Sequence, residues 1–142
     1  MQYDGKDFVG VKAALYYDGN ILVYRRDDKP GLRFAGMWDF FGGGREGEET
    51  PIECLVRELY EELEINIRPE QVVFTRVFPA MHDPTLDAYF MAVELSDDQA
   101  KNFRFGSEGV ECKFVATDDF MADNQTIPDL KPRLVSYLNS RG

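Results

Sequence analysis

The sequence predicts an α/β fold: a mixed β-sheet between helices in an α/β/α sandwich. Three observations carry this. A β-hairpin pattern opens the chain, a strongly capped amphipathic helix follows near position 50, and β-favouring segments then return before a terminal helix. Strands and helices in this mixed order suggest one sheet covered by helices on both faces, although periodicity alone does not give the topology. The 142 residues suit a single domain spanning 1–142, long enough to bury about two thirds of the surface its unfolded form exposes.

From Phe8 to Tyr17 the residues are apolar or β-favouring, Asp18-Gly19-Asn20 supplies turn chemistry, and Ile21-Leu22-Val23-Tyr24 resumes the strand pattern. Arg25 to Gly36, with Pro30 and Gly31, reads as a loop leading to a short strand around Trp38-Asp39-Phe40-Phe41. The helix starts with Thr50 as N-cap, Pro51 at the first helical position and Glu53 closing a capping box, and runs to about Leu63. Gln71 to Met81 and Leu86 to Leu95 read as strands around a His82-Asp83-Pro84 turn, and Glu111 to Ala116 as another. Asp118 to Met121 opens a short helix, and Leu130, Leu134, Val135 and Leu138 recur at helical spacing.

Composition narrows the function. A formal charge of −10 opposes binding of a nucleic-acid polymer, which needs a Lys/Arg surplus to displace counterions. A small phosphorylated ligand stays open, because divalent cations bridge carboxylates and phosphate oxygens. No apolar run approaches the ~18 residues of a membrane span, and Met1 to Asp7 lacks the basic start and apolar stretch of a secretory signal. A cytoplasmic location is the expectation. Cys54 and Cys112 are too few for a disulfide framework and lack metal-ligand spacing.

On the helix, Ile52, Leu55, Val56, Leu59 and Leu63 fall within an arc about 100° wide that faces the core. Glu58, Glu61 and Glu62 fall on another arc, roughly 120° away, where i, i+3 and i+4 positions stack. Three carboxylates therefore converge, and no Lys follows them at helical spacing to offset their repulsion. A hard cation such as magnesium would do so. For an arbitrary Glu-rich helix a solvated acidic face is the commoner meaning.

Context decides between the two. Gly43, Glu49, Arg57, Glu58, Leu59, Glu61, Glu62 and Ile65 match, in order and spacing, the Nudix box G-x5-E-x7-R-E-U-x-E-E-x-G-U, with U apolar. Glu64 alone departs, standing where that box has Gly; Asn66, tolerant of a left-handed backbone, is the substitute expected to take the turn. The chain thus resembles the Nudix hydrolases, and the resemblance implies a Nudix-type sandwich and a magnesium-dependent enzyme, with manganese able to substitute. It implies that Glu58, Glu61 and Glu62 bind the cations. It also implies that Arg57 pairs with Glu49, an arrangement suited to a guanidinium fork. Gly42, Gly43 and Gly44 would let the backbone approach phosphates that side chains would block. Family members differ in the general base, and Glu108 and Glu111, before a predicted strand, are the loop candidates beside the box glutamates.

Gly36-Met37-Trp38-Asp39-Phe40-Phe41-Gly42-Gly43 is similar to the G-x-W-x-F-P-G-G approach of MutT-type nucleoside triphosphate pyrophosphohydrolases, with Phe41 replacing Pro. Pro128-Asp129-Leu130-Lys131-Pro132 resembles their P-A-N-x-P segment, with Leu130 where the Asn reads oxidised guanine. The expected reaction is hydrolysis of a (deoxy)nucleoside triphosphate to monophosphate and pyrophosphate. Two alternatives stand beside it: a nucleoside diphosphate linked to a sugar or other group as substrate, and a non-catalytic nucleotide-binding sensor. Trp38, Phe40 and Phe41 are read as core, Cys54 as a buried thiol, His82 as a surface turn residue, and Arg25 to Arg33 as a solvated loop rather than a group of cations meeting substrate phosphates.

Overall fold

A computed structural model describes residues 6–106 and 109–141. The strands are β1 (Gly10–Tyr17), β2 (Asn20–Arg25), β3 (Trp38–Asp39), β4 (Phe41–Gly44), β5 (Val72–Pro79), β6 (Asp87–Glu94) and β7 (Glu111–Ala116). The helices are α1 (Pro51–Leu63), α2 (Asp97–Asn102), α3 (Thr117–Ala122) and α4 (Leu130–Ser140).

The strands form one mixed sheet ordered β3-β2-β1-β6-β5, with β4 also on β1 and β7 also on β2. Of the strand pairs among the described residues, β1–β6 alone is parallel. Asp18 and Gly19, at φ 52° and 79°, make the β1–β2 turn, the backbone that a two-residue hairpin demands. β1 divides one edge between two partners: Leu15 to Tyr17 pair with β2, and Gly10 to Ala13 pair with β4. That division leaves the glycine strand against α1, where Gly42 meets Glu62 and Gly44 meets Arg57.

Alternation along β1 feeds two cores. Val11, Ala13 and Leu15 pack with Leu55, Leu59 and Leu63 of α1, while Ala14 and Tyr16 join Phe40, Phe90, Phe120, Leu130 and Leu134 on the opposite face. Each fully buried Leu or Phe contributes roughly 1.5–3 kcal/mol, so the sheet is held from both sides, as the sandwich requires. Trp38, Phe40 and Phe41 are all core residues.

Helix α1 starts and stops as its residues predict, with both halves of the Thr50–Glu53 capping box formed. Its end corrects the expectation placed on Asn66. Glu64 itself takes the left-handed cap, φ 53° and ψ 33°, donating its N–H to the carbonyls of Leu59 and Tyr60. A non-Gly residue there costs about 1–2 kcal/mol. Ile65 offsets this, bonding back to the Leu59 carbonyl at 3.4 Å while burying its side chain.

Three features depart from the sequence expectation. The predicted strand at 38–41 is broken at Phe40 into β3 and β4. Helix α2 is additional, yet Ser96 and Gln99 form a capping box that was readable as S-x-x-Q. On α4 the inward face is Leu130, Arg133, Leu134 and Tyr137, and Val135 is exposed. The helix is rotated so that its arginine, not its valine, turns toward the sheet.

Candidate active site

Arg57 organises the box. Its Nε and Nη2 grip Glu49 Oε2 and Oε1 at 2.7 and 3.1 Å, the fork the sequence implied. Nη2 also donates to the Gly44 carbonyl at 2.8 Å, tying α1 to β4. Nη1 lies 2.7 Å from Glu46, 2.8 Å from Glu58 and 3.2 Å from Glu61. Hydrogen bonding from Arg57 holds the Glu49 carboxyl below its ordinary range, and Glu49 in turn raises the Arg57 guanidinium. Four carboxylates thus share one guanidinium, a local surplus of negative charge.

Here the structure corrects the picture of three carboxylates converging without a cationic neighbour. Arg57 precedes Glu58 and Glu61, at i, i+1 and i, i+4, and takes them both, while Glu62 turns inward. Glu62 is buried, and its Oε1 accepts the Gly42 N–H at 3.0 Å; the Glu61 side chain is 55% exposed. Among the described residues, no three His, Cys, Asp or Glu side chains are already grouped around a metal position.

The residues nonetheless fit a hard cation. A Cβ on Gly43 would lie 2.4 Å from the Glu58 carboxyl, so the missing side chain leaves room for that carboxylate against bare backbone. With Glu62 on Gly42, two carboxylates bracket the glycine strand, and carboxylate oxygens are the ligands a hard cation takes. Cys54 is buried beneath them, its thiol pushed up to about 12 chiefly by burial, so it is an inert packing group as its spacing suggested.

Next to Gly43 and Gly44 opens a cavity of about 220 Å³, lined also by Lys12, Arg26, Arg33, Asp39, His82 and Arg133. In a chain of net charge −10 this is a concentration of positive charge suited to an anionic ligand. Arg26 and Arg33, expected in a solvated loop, face this cavity; Arg33 donates to the Met81 carbonyl and Arg26 to Asp39 at 3.2 Å. His82 belongs to the cavity rim as well. Arg133 is 3% exposed, donates to the Pro79 carbonyl at 2.9 Å and stacks over Phe78 at 5.4 Å, and burial lowers its pKa.

Leu130 is fully buried in the core beneath α4 and does not line this cavity; Arg133, one turn later, does. Sequence reasoning missed Lys12, Asp39 and Arg133. The signal for Arg133 was its place between Leu130, Leu134 and Tyr137 on one helical face. Glu111 opens β7 and pairs with Arg25 at 3.4 Å, apart from the Arg57 group. Glu108 lies outside the described residues.

Carboxylates set against open glycine backbone, beside a cationic cavity, are the equipment of a hydrolase that works on phosphate groups. The sequence model of the NUDIX domain matches residues 7–135, and the chain belongs to that family. Hydrolases of this family generally use divalent metals. A stretch of 55 residues is 44% identical to the CTP pyrophosphohydrolase of Escherichia coli (strain K12), spanning 39% of each protein. The MutT protein of Methanosarcina mazei Go1 has the same fold, with a TM-score of 0.72 and 17% identity, over 99% of both chains. The bifunctional NMN adenylyltransferase/ADP ribose pyrophosphatase of Francisella tularensis, solved with AMP and a manganese ion, gives 0.72 and 21%, covering 97% of this chain and 43% of that one. Among the described residues no helix is long and apolar enough to cross a membrane.

Proposed function

We propose that this protein hydrolyses a nucleoside or deoxynucleoside triphosphate to monophosphate and pyrophosphate, using magnesium. The observation that carries the proposal is adjacency: the cavity with its four cationic side chains shares Gly43 and Gly44 with the carboxylate site. A nucleoside seated in the cavity thus has its polyphosphate beside the glycine backbone. The identity to a CTP pyrophosphohydrolase over 55 residues supports a triphosphate substrate. The likeness to a protein described as an ADP ribose pyrophosphatase favours the second reading, a nucleoside diphosphate linked to a sugar.

Glu58, Glu61 and Glu62 would hold the cations, whose chemistry is to neutralise phosphate oxygens and lower the pKa of bound water. The protein's own residues supply positioning. Arg57 fixes Glu49 and the Gly44 carbonyl, so that α1 and β4 keep their spacing. Lys12, Arg26 and Arg33 give the cavity a positive potential that favours an anionic ligand. Water attacks a phosphorus of the diphosphate bridge, and a carboxylate takes its proton. A glutamate of the box, Glu108 or Glu111 is proposed for that step. The test is magnesium-dependent release of pyrophosphate across a panel of nucleoside triphosphates, ADP-ribose and nucleotide sugars. Activity confined to the sugar-linked compounds would replace the first reading by the second.

Magnesium is expected to raise the melting temperature by several degrees, and chelator to reverse it. The cause is the surplus negative charge around Arg57, which a bound cation offsets in the folded state only. A thermal melt indifferent to millimolar magnesium would mean that the carboxylates are a solvated face.

Discrimination between oxidised and normal guanine nucleotides is expected to be modest. The position resembling the base-reading Asn is Leu130, which is core and offers no hydrogen bond. Apolar contacts discriminate by about 10 to 200-fold, polar readout by about 10⁴ or more. The ratio of kcat/KM for the two nucleotides measures it, and a preference above about a thousandfold for the oxidised form contradicts this expectation.

A further inference from the structure

Asp39 is the one carboxylate among the described residues lining the cationic cavity, and it is 1% exposed. Its two oxygens are treated differently. Oδ2 accepts from Lys12 Nζ at 3.0 Å, the Tyr24 hydroxyl at 3.2 Å and Arg26 Nη1 at 3.2 Å. Tyr24 is a secure donor, since burial, reinforced by the charge of Asp39, pushes its hydroxyl well above the ordinary range. Oδ1 is buried and has no hydrogen-bond partner among the described residues. A buried carboxylate oxygen left unpaired is unusual and costly. The three donors on Oδ2 also fix the carboxylate's orientation, so Oδ1 cannot turn to share them.

We infer that Asp39 Oδ1 is a specificity-determining acceptor that takes an N–H from the amino group of a nucleobase seated in this cavity. The inference rests on the nucleotide reading above and adds the class of base. An amino group supplies the missing donor, as cytosine N4 and adenine N6 do toward carboxylate and other acceptors. A carbonyl at the same ring position sets one acceptor against another. Cytosine is therefore favoured over uracil, and adenine over hypoxanthine. The oxidised guanine comparison is independent of this contact, because oxidation at position 8 leaves the amino group unchanged.

The polarity of this position can be inverted by a near-isosteric change. In Asp39→Asn the amide oxygen is retained by the donors of Lys12, Tyr24 and Arg26, which directs the NH2 to the place of Oδ1. The acceptor proposed to meet the base thereby becomes a donor. Lys12 and Arg26, partly exposed at 17% and 24%, keep solvent contact when the charge is lost.

The experiment is kcat/KM with magnesium for two amino–carbonyl pairs, CTP against UTP and ATP against ITP, on the wild-type protein and on D39N. The expected result is a wild-type preference of about tenfold or more for the amino member of each pair, the scale of a good base-edge hydrogen bond. D39N is expected to reverse the ratio within each pair. Equal rates for amino and carbonyl members in the wild type would assign Oδ1 to a buried water and overturn the inference, while pyrophosphate release leaves the nucleotide reading intact. A wild-type preference that D39N leaves unchanged overturns it as well, by moving the selectivity to another residue. No release from any triphosphate removes the nucleotide reading itself, and the inference with it.

Discussion

Glu62→Gln is expected to lower hydrolysis by more than about a hundredfold while leaving the fold intact, on the scale seen when one oriented charge-stabilising group is lost. The fold survives because the hydrogen bond from the Gly42 N–H to Oε1 can also be accepted by a Gln carbonyl oxygen. What disappears is the negative charge, on which a hard cation depends. Glu61→Gln is the companion, since its side chain is 55% exposed and its removal from Arg57 disturbs little packing. The measurement is pyrophosphate release at saturating magnesium, beside a thermal melt of each variant. Near wild-type turnover in either one would take that glutamate out of the metal set.

Gly42→Ala is expected to destabilise the protein by about 3 kcal/mol, near the sum of a strained backbone and an overpacked contact. Gly42 has φ 145°, a region L side chains avoid, and a Cβ there would stand 2.1 Å from the Val11 carbonyl oxygen and 2.9 Å from the Lys12 Cα. Both obstacles are backbone of the paired strand β1, which cannot yield without breaking the β1–β4 register at Lys12 and Gly42. Gly44→Ala is the control: its nearest added contact is 3.8 Å, so stability should hardly change. Urea unfolding compares them, with the midpoint falling at unchanged slope for Gly42→Ala. Equal midpoints for the two variants would show that β4 relaxes freely, and the close approach would then carry no weight.

The contrast between these glycines shows what could be read in advance. That Gly42 to Gly44 belong to the site was legible from the spacing of the box; which of the three is sterically obligatory was not. The answer depends on β1, some thirty residues earlier in the chain, and on the hydrogen-bonded register that brings its carbonyls against β4.

Local signals determined the elements. Thr50, Pro51 and Glu53 set the start of α1, the 3.6-residue period set its buried face, and Asp18-Gly19 set the first turn. The box determined the Arg57–Glu49 pair, because that pairing follows from fixed spacing on one helix and the loop before it. Tertiary structure decided the rest. Glu62 turned inward and Glu61 outward, although both lie on one arc, because Gly42 offers its N–H to one of them alone. Leu130 went to the core and Arg133 to the cavity because α4 is rotated to fill the space beneath Phe40 and Phe90. Asp39 stood unremarked in a strand pattern; its role appears only where Lys12 of β1, Tyr24 of β2 and Arg26 meet at one of its oxygens and leave the other unpaired. Spacing along a chain fixes contacts within one helix or turn, whereas a cavity is lined by residues from several elements, and only packing sets which of their atoms are left without a partner.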